Sequence, residues 1–421
     1  MVKTLMASEL GSLAALREVN RLRVVDALRE RGTASRSELA RVTGLSRTTV
    51  STLVADLAAR GLVVERAAAD DLPRSASRGR PPTLLRLDPT AGAALGVAFG
   101  PGKLRVAVAD LSAAILAEEA VDVDIHGGFT GRPVGAKDAL DAAAETVRSV
   151  LGAANVDASQ VIGAGLGLPA PIDRRTGTVS SHAILVQWPH IRPADELARR
   201  LGVHVELDND ANLGARGELR FGAGRGLEDF VYVKHTVAVG SALVLGGRLY
   251  RGATGIAGEL GHVHVRGDGV VCPGCGNRGC LGPEVSLHGL LDLLRPAYGE
   301  SLDLDGVLDL VERGDLGARR VLDDTGRAIG RALADLCNHL NPEAIVVGGE
   351  LSVPGGPLLA GIRESIDRYA LPAAAAAVEL RAGELGERAE VLGALALVIG
   401  DTERLPSAAL PPRPRAVASG G

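Results

Sequence analysis

The sequence predicts an α/β protein in which a small helical head precedes a two-lobed body. Three observations predict it. Helix start and stop signals crowd the first 90 residues, two similar strand–turn–strand units begin at Gly96 and Asp229, and charge divides unevenly between the two parts. Residues 1–90 carry 15 Lys/Arg against 10 Asp/Glu, whereas the remainder carries 31 against 41. A basic head on an acidic body suits a polyanionic partner at one end only. A chain of 421 residues exceeds what one core organises, so two or three domains are expected. Hydrophobic residues at 46% and charged residues at 23% are an ordinary globular mixture. No apolar run reaches the roughly 18 residues of a membrane span, and Glu9 and Glu18 interrupt the start where a secretory signal needs apolar sequence. A soluble, cytoplasmic protein is therefore expected. Aromatic residues, at 2%, are too few for the stacking platforms of single-strand nucleic-acid binders.

Within the head, Leu16, Val19, Leu22, Val24, Val25 and Leu28 recur at helical spacing, and Gly32 stops the helix. Ser35-Arg36-Ser37-Glu38 is a capping box, in which Ser35 caps the helix and Glu38 reaches back. The short helix it opens ends at Gly44. Ser46 then caps a third helix whose Val50, Leu53, Val54 and Leu57 face inward. Two short helices about a Thr43-Gly44-Leu45 turn predict a helix-turn-helix with the second as recognition helix. Its outward residues Ser46, Arg47, Thr48, Thr49 and Ser51 suit phosphate contacts and base-edge readout in a major groove. Leu62-Val63-Val64 and Thr83–Leu87 predict a two-stranded wing. The loop between them carries Arg74, Arg78, Gly79, Arg80 and Pro81, a slim cationic segment able to enter a minor groove. Double-stranded DNA is the expected partner, and residues 1–88 form the expected DNA-binding domain.

In the body, GVAFGPGKLRVAVADLSAAIL from Gly96 and DFVYVKHTVAVGSALVLGGRLY from Asp229 look like two copies of one hairpin unit. Duplicated hairpins heading two α/β lobes are the pattern of the actin-like, sugar-kinase ATPase fold, where the two turns hold phosphates with backbone N–H groups. A strand ending at Asp208-Asn209-Asp210, with a helix from Ala211, places polar groups where α/β proteins bind ligands, although the same residues can serve as cap and turn. Cys272, Cys275 and Cys280 fall within nine residues, and His262 stands ten residues before the first. Three thiolates and an imidazole complete a tetrahedral zinc site, whose closed coordination implies a structural role. A disulfide would leave one of the three cysteines unpaired, and His264 is the alternative imidazole. Glu259, three residues before His262, would sit beside it. Cys337, in an apolar helical stretch, reads as inert core.

The head, the duplicated hairpins, Asp208–Ala211, the Gly258-Glu259-Leu260-Gly261-His262 segment and the cysteine cluster together resemble the ROK family of repressors, open reading frames and sugar kinases. The resemblance spans roughly residues 17–400, and the head-plus-body arrangement is that of its xylose- and N-acetylglucosamine-type repressors. It implies lobes at 89–210 and 211–403, a C-terminal helix returning to the first lobe, and a tail over 404–421. It also implies a sugar site of Asn209, Asp210, Glu259 and His262, with Asp210 in the position of the kinase general base. Asn338–Glu343 matches a family segment near the nucleotide pocket.

The departures from the family pattern bear on catalysis. The first phosphate turn of family kinases reads Asp-x-Gly-x-Thr, and here Ala98, Gly100 and Gly102 stand in it. The second reads Gly-Thr-Gly, and here Thr236, Val237 and Ala238 replace it. Phosphoryl transfer depends on those loops for positioning and charge stabilisation, so no enzyme activity is expected and Asp210 is a degenerate base position. Cys272-Pro273-Gly274-Cys275 has one residue more than the family's Cys-x-Cys. The glutamate expected after Cys280-Leu281 is Gly282, with Glu284 two positions on, and residues 181–188 lack the usual Asn-Leu-Pro-Gly run. The expected protein is a DNA-binding regulator, in the repressor class, with a catalytically degenerate, zinc-braced, sugar-responsive body, acting as a dimer or tetramer on paired half-sites. The alternatives are an active ATP-dependent sugar kinase with an appended head and a zinc-dependent regulator controlled by a protein partner.

Overall fold

The computed structural model describes residues 16–67, 83–126, 132–180, 185–352 and 356–400, apart from positions 18, 30, 186 and 189. Arg74, Arg78, Gly79, Arg80 and Pro81 of the wing loop, residues 181–184 of the stretch that lacks the Asn-Leu-Pro-Gly run, and the tail 404–421 lie outside these residues.

The head consists of α1 (residues 19–29), β1 (Ala34–Ser35), α2 (Arg36–Thr43), α3 (Arg47–Ala59), β2 (Val63–Ala67) and β3 (Thr83–Leu87). Ser35 Oγ accepts from Glu38 N, and Ser35 N donates to Glu38 Oε2 at 2.8 Å, so the capping box satisfies two backbone donors reciprocally. Gly44 ends α2 at φ 69°, a left-handed conformation open to glycine without a Cβ penalty. Val24, Val25, Leu28, Leu39, Val50, Leu53, Val54 and Leu57 form one core. Leu16, which shares the apolar spacing, is 57% exposed. The wing gains a third strand: Ala34 and Ser35 pair with Leu85 and Leu84, giving the order β1-β3-β2.

The first lobe holds β4 (Ala93–Phe99), β5 (Lys103–Asp110), β6 (Ile115–Asp122), α4 (Ala136–Ala153), β7 (Val161–Leu168), the small pair β8 (Ile172–Asp173) and β9 (Thr178–Val179), α5 (Pro193–Leu201) and β10 (Val205–Asn209). The second begins with α6 (Asp210–Phe221), β11 (Phe230–His235), β12 (Val239–Leu245) and β13 (Arg248–Tyr250). It continues through α7 (Leu281–Val285), α8 (Leu287–Tyr298), α9 (Leu304–Glu312), α10 (Leu316–Leu340), β14 (Ala344–Gly348), α11 (Pro357–Tyr369), α12 (Pro372–Ala377) and β15 (Glu379–Ala382). The sheets run β6-β5-β4-β7-β10 and β13-β12-β11-β14-β15, each an antiparallel hairpin pair followed by two parallel partners. The repeat seen in the sequence is thus a repeat of topology.

The last helix, α13 (Ala389–Ile399), is buried on every side, as its unbroken apolar composition requires. It lies on β4, β7 and β5 and against α6. Glycines set the closeness of this packing: a Cβ at Gly96 or Gly165 would run into the backbone carbonyl oxygens of Val391 and Ala394. The chain therefore returns to the first lobe after completing the second, and Glu390, near the start of α13, is carried into the cleft between them.

Candidate functional site

The cleft is built around the junction of β10 and α6. Asn209 caps α6, its Oδ1 accepting from Ala211 N at 2.9 Å and Asn212 N at 3.3 Å, while its Nδ2 donates to Ala170 O. The helix begins at Asp210, one residue before the sequence signal placed it. Asp208 is buried beneath, where Arg251 donates to its Oδ2 through Nε and Nη2 and Asn212 Nδ2 donates to its Oδ1. The cap reading and the ligand reading of this segment are therefore compatible: Asp208 and Asn209 fix the turn, and Asp210 faces the cleft.

Asp210 has an unforeseen partner. Lys234, near the end of β11, places Nζ 2.8 Å from Asp210 Oδ2 and 2.9 Å from Glu390 Oε1 of α13. Its side chain is 6% exposed. Burial alone would lower the Lys234 pKa, but Asp210 and Glu390 together outweigh it and hold the ammonium charged well above the ordinary lysine value. One residue on, His235 Nε2 bonds to Val285 O at 2.7 Å, and burial keeps this imidazole below its usual pKa.

The two turns face one cavity of about 430 Å³. Ala98, Gly100 and Gly102 line one side of it, and Lys234 and Thr236 the other. The remaining lining is acidic, with Asp303, Asp305, Glu350, Glu387 and Glu390 among its residues. Arg105 is committed to Glu118 and Glu387, and Lys234 to Asp210 and Glu390. Among the described residues, Lys103 is the lining cation without a carboxylate partner. Acidic side chains thus outnumber cationic ones in the lining.

Glu259 is near enough to Asp210 for their charges to interact, and His262 follows in a 3-10 turn, Leu260–His262. Burial, and then the Asp210 charge, push the Glu259 carboxyl up to about 7, so near neutrality it can donate as well as accept a hydrogen bond. A carboxyl whose folded pKa lies above its unfolded value binds its proton more tightly when folded. Stability is thus lost as pH rises from about 4.3 towards 7. Glu259→Gln should melt at a higher temperature than wild type at pH 8 and match it near pH 4; equal melting temperatures at pH 8 would count against the buried assignment.

The ligand atoms of His262, Cys272, Cys275 and Cys280 all lie within 4.8 Å of one another. His262 Nδ1 is 3.6 Å from Cys272 Sγ, and Cys275 Sγ is 3.6 Å from Cys280 Sγ. Tetrahedral zinc, with Zn–S about 2.3 Å and Zn–N about 2.05 Å, requires separations of about 3.6 Å for N···S and about 3.8 Å for S···S. The four residues fit the ion, and their three thiols and one imidazole would fill all four positions of a tetrahedral site. Gly274 lies against the His262 ring, where a Cβ would stand 2.9 Å from Cε1. His264 takes no part in the cluster and instead bridges in backbone to Cys280. Cys337 is buried in the core of the second lobe. Glu284 reaches towards Arg266, at 3.8 Å. Of the Asn338–Glu343 segment, Asn338 Oδ1 accepts from Leu371 N and Glu343 Oε1 from Glu228 N and Asp229 N; neither lines the cavity.

In the head, Ser46 Oγ caps α3 by accepting from Thr49 N. Arg47, Thr48 and Ser51 are exposed with Ser46, and Thr49 is half-buried. The residues sequence reasoning missed are Lys234, His235 and Glu390. A lysine and a histidine closing an otherwise apolar strand, Phe230–Val233, is the signal that was available for the first two.

A model of the ROK family matches residues 94–401, and a model of the MarR family matches residues 18–72. The xylose repressor of Caldicellulosiruptor bescii is 25% identical over 410 residues, covering 94% of this chain and 99% of that protein. The glucokinase of Thermotoga maritima is 34% identical over 278 residues, covering 63% of this chain and 86% of the enzyme. Among solved structures, a ROK family transcriptional regulator homologous to the Escherichia coli MLC protein superposes with a TM-score of 0.73 at 25% identity, covering 91% of this chain and 97% of that one.

Proposed function

Because the chain belongs to the ROK family, we propose that it is a DNA-binding transcriptional repressor whose body binds a sugar or sugar derivative without phosphorylating it. The observation that carries this reading is the pairing of a winged head with a kinase-type cleft whose reactive positions are occupied by the protein itself. In a sugar kinase, a carboxylate at Asp210 would take a proton from the attacking hydroxyl while the two turns hold the γ-phosphate. Here Lys234 sits on that carboxylate and ties it to Glu390, the first turn lacks its carboxylate and hydroxyl, and the cavity beyond is acidic.

The sugar would be held by Asn209, Asp210, Glu259 and His262. A structural zinc ion on His262, Cys272, Cys275 and Cys280 would brace that site by fixing the His262 ring through one nitrogen. The domains would be the head at 1–88, lobes at 89–210 and 211–403, and a tail beyond. Two heads in a dimer or tetramer would span paired half-sites, in the cytoplasm, where the operator is. Among the described residues no helix is long and apolar enough to cross a membrane. Residues Ser46, Arg47, Thr48, Thr49 and Ser51 would meet the major groove and Arg78, Gly79 and Arg80 the minor groove.

A genomic operator selection with the purified chain, followed by titration of the selected duplex across a sugar panel, tests this reading. Sequence-selective binding released or strengthened by one sugar is expected; the absence of selective DNA binding would overturn it. In the same assay Arg47→Ala should weaken binding about equally on all duplexes and lower the slope of log K against log salt by about one. A loss confined to one base position would instead assign Arg47 to base readout.

A further inference from the structure

Between head and body lies a second cavity, of about 580 Å³, which none of the roles above uses. Its charged lining is Arg29 and Asp26 from α1, Arg216 and Arg220 from α6, and Arg248 and Arg251 from the β13 hairpin and the segment after it. The end of α13 adds apolar wall, including Ile399. Five guanidinium groups thus face one lining carboxylate.

The committed contacts compensate this charge only in part, with Asp208 and Glu206 behind the lining attracting Arg216. Asp26 Oδ1 is shared by Arg29 at 3.2 Å and Arg220 at 2.7 Å, while Arg29 also donates to the carbonyl oxygens of Leu111 and Ile399. Arg251 is held by Asp208, behind the wall. Among the described residues neither Arg216 nor Arg248 has a hydrogen-bond acceptor. Burial, and then the like charge of Arg251, depress the Arg216 guanidinium below its ordinary value, a penalty that an anion beside it would relieve.

We propose that this junction cavity is a binding site for a phosphorylated small molecule, with Arg216 and Arg248 as its phosphate ligands. Guanidinium forks match phosphate oxygens in pairs and bind them by charge-assisted hydrogen bonds. The volume falls within the range of small-molecule sites and exceeds that of a bare phosphate, and the apolar wall contributed by Val244, Leu249 and Ile399 accommodates the rest of such a ligand. The position gives the site a consequence. Its walls include α1 of the head and α6, whose other end carries Asp210, so a ligand here touches the docking of the head and the helix that leaves the cleft. A dianion would compete with Asp26 for Arg220 and weaken the ion pair that, among the described residues, joins α1 to α6. If occupancy changes the position of the head, the coupling to DNA is reciprocal.

The site does not depend on sugar binding in the cleft, and calorimetry on the full, zinc-loaded chain separates the two. Inorganic phosphate and glucose 6-phosphate are titrated into wild type, Arg216→Gln and Arg248→Gln, and glucose 6-phosphate also into wild type with excess glucose, which competes for any site that reads the sugar ring alone. Saturable binding of glucose 6-phosphate to wild type is expected, with at least about tenfold loss in the arginine variants and no change when glucose is present in excess. Tighter binding of glucose 6-phosphate than of inorganic phosphate identifies the phosphorylated molecule as the ligand. Equal binding of the two reduces the site to a free-phosphate site and contradicts the proposal. Arg248 is exposed, so its variant folds and decides the matter even where Arg216→Gln does not. Absence of saturable binding to wild type, wild-type affinity in Arg248→Gln, or displacement of glucose 6-phosphate by glucose overturns the proposal.

Discussion

Lys234→Met is expected to destabilise the body by about 3–5 kcal/mol, the loss typical of removing one partner from a buried ion pair. The side chains of Lys234, Asp210 and Glu390 are 6%, 14% and 11% exposed, so the two carboxylates left behind are poorly reached by water and face each other without a countercharge. The pH dependence follows from the direction of the lysine shift. A lysine whose folded pKa is raised contributes stability that is fully present below its unfolded value near 10.4 and is lost only as pH rises through the higher folded value. The wild-type contribution is therefore flat between pH 5 and 9. In the variant the two carboxylates keep no countercharge, and the deficit is read at pH 8. Denaturant unfolding at pH 8 and pH 5 measures both. A deficit below about 1 kcal/mol at pH 8 would show that the triad does not hold the lobes together.

The second large effect concerns the metal. Cys280→Ser should leave the protein with less than half an equivalent of zinc and weaken sugar binding at least tenfold. Cys272 and Cys280 are buried while Cys275 is exposed, so a zinc ion held by them would join two core positions to a surface loop, and its binding would be folding free energy of the loop it closes. Without such an ion His262 would lose the partner proposed to fix its ring, and the turn carrying Glu259 would lose that anchor. Metal analysis of the purified variant and of His262→Ala reads the ligand set directly. A full equivalent of zinc in either would refute it.

How much of this was legible in the sequence follows from the range of each interaction. The capping box at Ser35, the Gly44 turn and the cysteine cluster are written within a few residues, because caps, turns and zinc loops close on themselves. The duplicated hairpins were legible for the same reason, and with them the placement of both turns on one cavity. The β1–β3 pairing joins residues fifty positions apart through a two-residue strand and left no periodicity to read. Lys234 meets Glu390 across 156 residues, and that meeting depends on how closely α13 settles on Gly96 and Gly165, a distance set by tertiary packing. The sequence showed that the phosphate turns had lost their usual residues; only the structure showed a lysine seated on the base position. The junction cavity was invisible for the same reason, since its arginines come from three separate parts of the chain.

The central claim is that the cleft recognises a sugar and no longer transfers phosphate. It is tested most directly by measuring ADP release from the purified, zinc-loaded chain with Mg-ATP across a panel of hexoses, pentoses and amino sugars. The account predicts no sugar-dependent release above the sugar-free background for any member of the panel, including the sugar that alters operator binding. Sustained, sugar-dependent turnover abolished by Asp210→Asn would contradict it.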